Sequence, residues 1–315
     1  MKKLLGILLA SFLLVGCSQA DTTSDVADVA TTEATTTAVI NVYTRDAASG
    51  TREAFEKAID LDDGELTANA SEVSSNGDMA AKVGADENGI GYVSLTTDFA
   101  ANNVTPLNFE NVAPSVETVL DGSYTMQRPF NLVTRADGDY ESDDMQQLVE
   151  AFIAYITESE EGLSVVESKG GIVDYSNAQS WDEIAANYPV LQQDNSALTI
   201  RTGGSTSVEK VINAALTEFS SLAGNVQFAM DQTGSGDGYK RVLGEEKDGV
   251  NAKEIGFASR PFGDEEDVST ALVATAFCQD AVVVIVNAAS SLENISQADV
   301  NAIYQGDITD FSEVK

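Results

Sequence analysis

Apolar and polar positions follow two different periods along this chain. Residues 39–43 alternate at every second position, as in a strand, whereas the apolar residues of 52–59 recur at helical spacing. Residues 197–201 and 208–219 repeat this order of strand and amphipathic helix. A strand followed by a turn and such a helix is the unit of α/β folds, so the pattern predicts that class.

Shorter apolar runs add further elements. Residues 89–93, 226–230 and 255–258 are predicted to be strands, and residues 145–156 have the spacing of a helix. Residues 281–286 are almost entirely β-branched, which suits a strand that is buried on both faces and crosses between domains. The α/β pattern therefore extends over most of the chain.

Glycine and hydroxyl residues occupy three turns that connect strand-like to helix-like segments. These turns are 49–51 (Ser-Gly-Thr), 204–207 (Gly-Ser-Thr-Ser) and 234–236 (Gly-Ser-Gly). Unpaired backbone N–H groups at a helix start, close approach at glycine and neutral hydroxyl donors together favour an anion. Each turn taken alone has an alternative interpretation, because Ser and Thr also serve merely as helix caps.

All three turns follow apolar strands, and so do residues 259–260, which come after the strand at 255–258. In open α/β sheets, ligands bind beyond the carboxyl ends of the strands. We therefore expect the four segments to converge on one crevice.

Charge and residue usage exclude several classes of protein. The chain has no histidine, which removes Ser-His-Asp and Cys-His catalysis and the commonest zinc ligand sets, and we expect neither metal nor cofactor. A net charge of −34 disfavours nucleic acid as a partner. It also repels small anions at long range, so an anion site here must depend on dense, desolvated hydrogen bonds. Cys278 has apolar neighbours and is expected to be a small buried core residue.

The chain begins with a predicted export signal. Two lysines precede an apolar run that is too short to cross a bilayer. Residues 14–17 (Leu-Val-Gly-Cys) resemble the lipobox of bacterial lipoproteins, which implies that residues 1–16 are a signal peptide and that Cys17 is lipidated. The composition of residues 17–37 predicts a flexible tether. Residues 38–315 are long enough for two domains.

In combination, the segments resemble the PstS-like phosphate-binding proteins of bacterial ABC importers. Residues 45–55 (RDAASGTREAF) are similar to the family's Arg-x-x-x-Ser-Gly-Thr segment with its following Phe. Residues 204–208 and 234–238 resemble its first and second anion turns, and residues 255–260 resemble its Ile-Gly-x-Ala-Ser-Arg strand end. Together the matches span nearly all of residues 38–315, with supporting ones at 90–94, 124–130 and 303–311.

The resemblance implies a two-lobed α/β fold of the periplasmic-binding-protein type II class, with a ligand cleft between the lobes. In that family the segment matching residues 198–315 comes first and the segment matching 38–175 follows it, so this chain resembles a circularly permuted member. An incomplete chain cut from a tandem array would show the same order and remains the alternative. Permutation predicts that Val39 and Val314 lie close together.

In this order one of the two implied lobes is discontinuous. Residues 38–112 with 288–315 would form the lobe that carries the Arg-x-x-x-Ser-Gly-Thr turn, and residues 113–287 would form the lobe with the other two turns. Strands around 113–119 and 286–291 would connect the lobes as a hinge.

The resemblance implies a monomeric, non-enzymatic solute-binding protein on the extracytoplasmic face of the membrane. It would be lipid-anchored and would capture inorganic phosphate for ABC permease subunits. Arg45 would be the one cationic donor, with a hydroxyl from Ser49 and backbone N–H groups from Gly50 and Thr51; without the motif, a surface ion pair with Asp46 would be the better interpretation of Arg45. The facing lobe would contribute Thr206, Ser207, Ser235, Gly236, Ser259 and Arg260.

Arg260 leaves the identity of the anion open. Many phosphate-binding members have an Asp at this position, which accepts the proton of phosphate and so excludes sulfate. Asp46 or Asp237 could replace that acceptor. The alternatives are a binding protein for sulfate, molybdate or another oxyanion, and a sensing or adhesion lipoprotein on the same scaffold.

A serine-dependent envelope enzyme is the competing class. Ser207 and Lys210 have Ser-x-x-Lys spacing, and Ser205 with Lys210 or Ser168 with Lys169 are other candidate pairs. The sequence has no accompanying Ser-Asp-Asn or Lys-Thr-Gly element in support of them. The sequence therefore favours binding over catalysis.

Overall fold

The computed structural model describes residues 39–62 and 64–315, in which strands and helices alternate as the periodicity predicts. The strands are β1 (Asn41–Arg45), β2 (Ser71–Val73), β3 (Gly89–Ser94), β4 (Val104–Pro106), β5 (Asn108–Phe109), β6 (Gln127–Thr134), β7 (Thr199–Gly204), β8 (Gln227–Gln232), β9 (Ile255–Ala258), β10 (Ala274–Asn287) and β11 (Asn294–Ile295). The helices are α1 (Gly50–Ile59), α2 (Asn76–Gly84), α3 (Val116–Leu120), α4 (Asp143–Glu158), α5 (Glu160–Ser168), α6 (Trp181–Ala185), α7 (Glu209–Leu222), α8 (Ser235–Lys240) and α9 (Gln297–Gln305).

The long strand β10 joins two halves of one sheet. The order of the strands is β2-β1-β3-β10-β6-β9-β7-β8, with β4 also paired to β10. Residues 274–281 of β10 pair antiparallel with β6, whereas residues 282–286 pair antiparallel with β3. The parallel pairs of β1 with β3 and of β7 with β9 therefore lie on opposite sides of this strand.

Two hydrophobic cores lie against the two halves of the sheet. The first packs α1, α2 and α9 against β1, β3 and the β-branched half of β10. The second packs α4 and α7 against β6, β7 and β9, and the rings of Phe152 and Tyr155 contact that of Phe219 there. We call residues 39–126 with 281–315 the first lobe and residues 127–280 the second lobe, according to the core that most of their buried apolar residues join.

The chain crosses between the lobes at the start of β6 and in the middle of β10. The expected hinge strands, 113–119 and 286–291, lie outside these crossings, and residues 116–120 form the helix α3 instead of a strand. Residues 113–126 remain with the first lobe because Val119, Tyr124 and Met126 are buried in its core. Residues 281–286 belong there as well, since all six are buried in that core and 282–286 pair with β3. The division differs from the expected 113–287 for these packing reasons.

The two ends of the described chain lie side by side on the first lobe. Val39 forms a β-bridge with Asp310, and the backbone N–H of Ile40 donates to the carbonyl of Thr309 over 2.8 Å. Val314 packs against the same core. This adjacency is what a circularly permuted order requires, while the permutation itself stays a prediction.

The expected signal peptide, Cys17 and the tether at residues 17–37 lie outside the described residues. Within 39–62 and 64–315, no helix is both long enough and apolar enough to cross a membrane. Cys278 is buried in the second core, as expected, and burial raises the pKa of its thiol well above the usual value.

Replacing Gly204 by Ala should destabilise the protein. Gly204 has a φ of +110°, and a Cβ atom there would lie 2.1 Å from the carbonyl oxygen of Phe257. We expect the free energy of unfolding, measured by urea titration, to fall by roughly 2 to 4 kcal/mol. Gly263→Ala is the control, because an added Cβ makes only an ordinary contact there. Equal stability of the two variants would contradict the close approach of β7 to β9.

Candidate functional site

The first predicted turn lies at the boundary of the lobes, between β1 and α1. Arg45 ends β1, and Ser49 is the N-cap of α1. The hydroxyl of Ser49 accepts a hydrogen bond from the backbone N–H of Arg52, so Ser49 does act as a cap. Gly50 and Thr51 follow in the first turn of the helix, where backbone N–H groups lack helical partners.

The turns of the second lobe also lie at strand ends. β7 ends at Gly204 and is followed by the buried residues Thr206 and Ser207. β8 leads into α8, which begins at Ser235, and β9 leads to Ser259, which is fully buried. The structure therefore brings four short segments from four strand ends to one region, as the sequence predicts.

Polar side chains of the two lobes contact each other at these turns. Nη1 of Arg45 donates to the hydroxyl oxygen of Thr206 over 3.2 Å. The hydroxyl oxygens of Thr51 and Ser207 are 2.8 Å apart. Because one partner of each pair belongs to each lobe, the lobes are closed on each other in this structure.

Backbone groups extend the same contact. The N–H of Gly236 donates to the carbonyl of Ala48 in the other lobe over 3.1 Å. The hydroxyl of Ser235 accepts from the backbone N–H of Ser259 and lies 3.2 Å from the Ser259 hydroxyl. At Gly50, an added Cβ would lie 2.4 Å from Oγ of Ser235, so α1 approaches α8 as closely as a residue without a side chain permits.

Arg45 places a buried cation among these neutral donors. Only 1% of it is exposed, and its other N–H groups donate to the carbonyls of Val73 and Ser74. Burial lowers the pKa of Arg45, an effect that the nearby carboxylate of Asp46 opposes. The alternative interpretation of Arg45 was a surface ion pair with Asp46. The ion pair is present, with Nη2 3.3 Å from the carboxylate, but the guanidinium is buried and not at the surface. An anion is the complement that such a desolvated cation needs.

Arg260 does not join this cluster through its guanidinium. Its Nη1 and Nη2 atoms donate to the carboxylate of Glu266, and its Nε lies 2.7 Å from a carboxylate oxygen of Glu53. Glu53 belongs to the first lobe, whereas Arg260 and Glu266 belong to the second. Arg260 thus connects the two lobes beside the cleft, and its role as an anion ligand stays a prediction.

The two carboxylates considered as proton acceptors have different surroundings. Asp46 accepts from the backbone N–H of Ala48 and from Arg45, so it lies at the site. Asp237 instead accepts from Thr233 and Arg241. Of the two carboxylates, Asp46 is therefore the better placed to accept a proton from a bound phosphate.

The structure adds residues that sequence reasoning missed. The side-chain amide of Asn76 donates to the hydroxyls of Ser207 and Thr206, at 2.7 and 3.3 Å. Arg128 donates to the hydroxyls of Ser207 and Ser259, at 3.0 and 3.2 Å. Asn76 begins α2 directly after the cap Ser75, so the rule applied to the other helix starts could have found it. Arg128 lies in residues 124–130, which were used in the sequence analysis only as a supporting match to the family and not as a source of site residues.

A cavity of about 340 Å³ opens beside Thr206 and Ser207, between α2 and α7. Lys210 lines it and donates from Nζ to the carbonyl of Thr96 in the first lobe over 3.0 Å. The cavity therefore borders the hydroxyl cluster and is lined by residues of both lobes.

Comparisons with known proteins agree on one kind of relative. Residues 189–314 match the model of a PBP superfamily domain. The phosphate-binding protein PstS 2 of Streptococcus agalactiae serotype V is 27% identical over 310 residues, covering 96% of this chain and 93% of that protein. PstS 2 of Streptococcus pneumoniae serotype 4 is 28% identical over 329 residues, covering 100% and 98%.

A solved structure gives the same result. The phosphate-binding protein of a phosphate ABC transporter from Streptococcus pneumoniae TIGR4 is 26% identical, with a TM-score of 0.61. The match covers 88% of this chain and 100% of that one. Each of these three matches therefore covers at least 88% of both chains.

Adding a methyl group at Gly50 should hold the lobes apart. In Gly50→Ala the Cβ atom would overlap Oγ of Ser235 unless the lobes separate. Spin labels on cysteines introduced at Lys57 and Ser221, one on each lobe, would report the separation in a protein with Cys17→Ser, while Cys278 is buried and does not compete. We expect a longer label distance than in the otherwise unchanged protein.

Gly77→Ala is the matched control, because it also lies in the first turn of a helix but an added Cβ makes only an ordinary contact there. It should leave the label distance unchanged. If the label distance in Gly50→Ala equalled that of the protein with Gly50, the contact of α1 with α8 would not limit closure of the lobes.

Proposed function

We propose that this chain, a PstS-like protein with the two-lobed fold of periplasmic binding proteins, captures inorganic phosphate between its lobes and delivers it to an ABC importer. The observation that carries this proposal is the direct contact of Arg45 and Thr51 with Thr206 and Ser207 across the lobe boundary. An anion bound among these groups would contact both lobes at once and so stabilise their closed arrangement.

The donors suit a small oxyanion. Hydroxyls and backbone N–H groups add hydrogen bonds without formal charge, and the planar guanidinium of Arg45 can bind two oxygens together. Closure also removes water, which strengthens each of these hydrogen bonds. Affinity would then come from contacts made inside the cleft, since the chain's net charge of −34 repels anions from outside.

We also propose the setting that the resemblance implies. The protein would act on the extracytoplasmic face of the membrane as a monomer, held there by lipid on Cys17. Mass spectrometry of the membrane-extracted protein would test the modification directly.

The serine-enzyme alternative gains no support from the site. The hydroxyl of Ser207 contacts Thr51, Asn76 and Arg128, while Lys210 donates to Thr96 instead. A serine nucleophile needs a base within hydrogen-bond reach, and these contacts do not supply one to Ser207. We therefore propose a binding protein without enzymatic activity, which a fluorophosphonate should leave unlabelled.

Removing the guanidinium of Arg45 should abolish tight binding. We expect Arg45→Gln to weaken phosphate binding by roughly 100-fold or more, because several charge-assisted hydrogen bonds are lost together. Calorimetric titration of the anion-stripped protein with phosphate, and then with sulfate, measures this. Lys57→Gln removes one exposed positive charge from the same helix and serves as the control.

Three outcomes of that titration are informative. Phosphate binding by the unaltered protein, lost in Arg45→Gln and kept in Lys57→Gln, would support the proposal. Sulfate binding in preference to phosphate would redirect it to another oxyanion. Absence of binding to either anion would favour a sensing or adhesion role.

Arg260 should contribute to closure rather than to the anion site itself. If it acts through its pair with Glu53, then Arg260→Gln and Glu53→Gln should weaken phosphate binding equally, by about fivefold or less, as expected of a partly exposed ion pair. A much larger effect of Arg260→Gln alone would instead identify Arg260 as a ligand of the anion. The same calorimetric titration distinguishes the two.

A further inference from the structure

A second buried guanidinium lies beside the hydroxyl cluster. Arg128 is in β6, at the point where the chain enters the second lobe, and is 5% exposed. Its Nη2 donates to the hydroxyl of Ser207 over 3.0 Å, and its Nη1 donates to that of Ser259 over 3.2 Å. Two residues expected to hold the anion are therefore contacted by one guanidinium.

Arg45 and Arg128 approach this cluster from different lobes. Arg45 donates to Thr206, and Arg128 donates to the adjacent Ser207. Burial lowers the pKa of Arg128, the carboxylate of Asp280 opposes that shift, and the charge of Arg45 adds to it. Two cations that repel each other across a few neutral hydroxyls are stabilised when a negative charge lies between them.

Asp280 holds Arg128 in this position. Its carboxylate oxygen Oδ2 accepts from Nε and Nη2 of Arg128, at 2.9 and 2.8 Å, and its Oδ1 accepts from Ser94. Arg128 and Asp280 are directly opposite each other in the pairing of β6 with β10, so the backbone fixes the pair. The Nη1 edge of the guanidinium is left facing the cleft hydroxyls.

We propose that Arg128 is a second guanidinium donor to the bound oxyanion, with Asp280 as the residue that positions it. The anion would lie between Arg45 of the first lobe and Arg128 of the second, displacing the contacts that both now make with cleft hydroxyls. This inference rests on the proposed oxyanion-binding function and adds a binding residue to it.

The arrangement favours a doubly charged anion. The carboxylates next to the two arginines, Asp46 and Asp280, are each paired with a guanidinium. A carboxylate that already accepts from a guanidinium is a weak acceptor for a proton on the ligand, whereas guanidinium N–H groups only donate and therefore favour ligand oxygens that carry no proton. Binding of phosphate should therefore strengthen as the pH rises and the dianion replaces the monoanion.

The test compares Arg128→Lys and Arg128→Gln with the unaltered protein by calorimetric titration with inorganic phosphate. Arg128→Lys keeps a counter-ion for Asp280 and so protects the fold, but it loses the fork of N–H donors. We expect phosphate affinity to fall about 10-fold in Arg128→Lys and roughly 100-fold in Arg128→Gln. Thermal unfolding without phosphate shows whether each variant is folded.

Arg135→Gln is the matched control. Arg135 directly follows β6, is almost as buried as Arg128 and pairs with Asp139 over 2.9 Å, away from the cleft. It should lower thermal stability and leave phosphate affinity unchanged within about twofold. If Arg128 were merely structural, its variants would behave in the same way.

The pH dependence gives a second readout. The loss of phosphate affinity in Arg128→Gln should be greater at pH 8, where phosphate is mainly a dianion, than at pH 5.5. Folded Arg128 variants that bind phosphate as the unaltered protein does would overturn this inference and leave the proposed function intact. Failure of the unaltered protein to bind phosphate or sulfate would overturn both.

Discussion

The unbroken course of β10 through both lobes is the constraint on which the rest of the structure depends. This strand of 14 residues supplies hydrogen bonds to β6 in one lobe and to β3 in the other. Neither half of the sheet is complete without β10, so this one strand connects the lobes both through its backbone and through its hydrogen bonds. Arg128 and Asp280 lie at the crossing, where a pair of opposite charges is fully buried. Removing one partner of such a pair leaves an uncompensated buried charge, which makes this crossing intolerant of change.

An acidic protein that binds an anion must separate its own charges from its site. The cleft meets this requirement with hydroxyls, backbone N–H groups and two guanidiniums, Arg45 and Arg128. Glu53 and Glu266 lie beside the cleft, where they are paired with Arg260. The long-range field would oppose the proposed anion, and over a few ångström the desolvated donors would outweigh that field, because Coulomb interactions weaken with distance and with screening by salt.

Local patterns predicted the local structure well. The strand, turn and helix of β1 with α1 and of β7 with α7 follow from periodicity, which depends on residues close in sequence. Convergence of the turns followed from the rule that ligands collect at strand ends. Lobe boundaries were harder, because the membership of Tyr124 and Met126 depends on packing with distant residues. The direction of Arg260 is set by Glu266 together with Glu53, and Glu53 is too distant along the chain to be identified as a partner from one sequence.

The adjacency of Val39 and Asp310 has a mechanical consequence. Both ends of the described chain emerge from the first lobe, so whatever is attached at either end is carried by that lobe. The chain connects the second lobe to it through β6 and β10, and the two also touch across the cleft. A load applied at the ends would therefore act on one lobe and leave the swing of the other unhindered. A reporter fused at either end would therefore follow the first lobe and would not report the movement of the second.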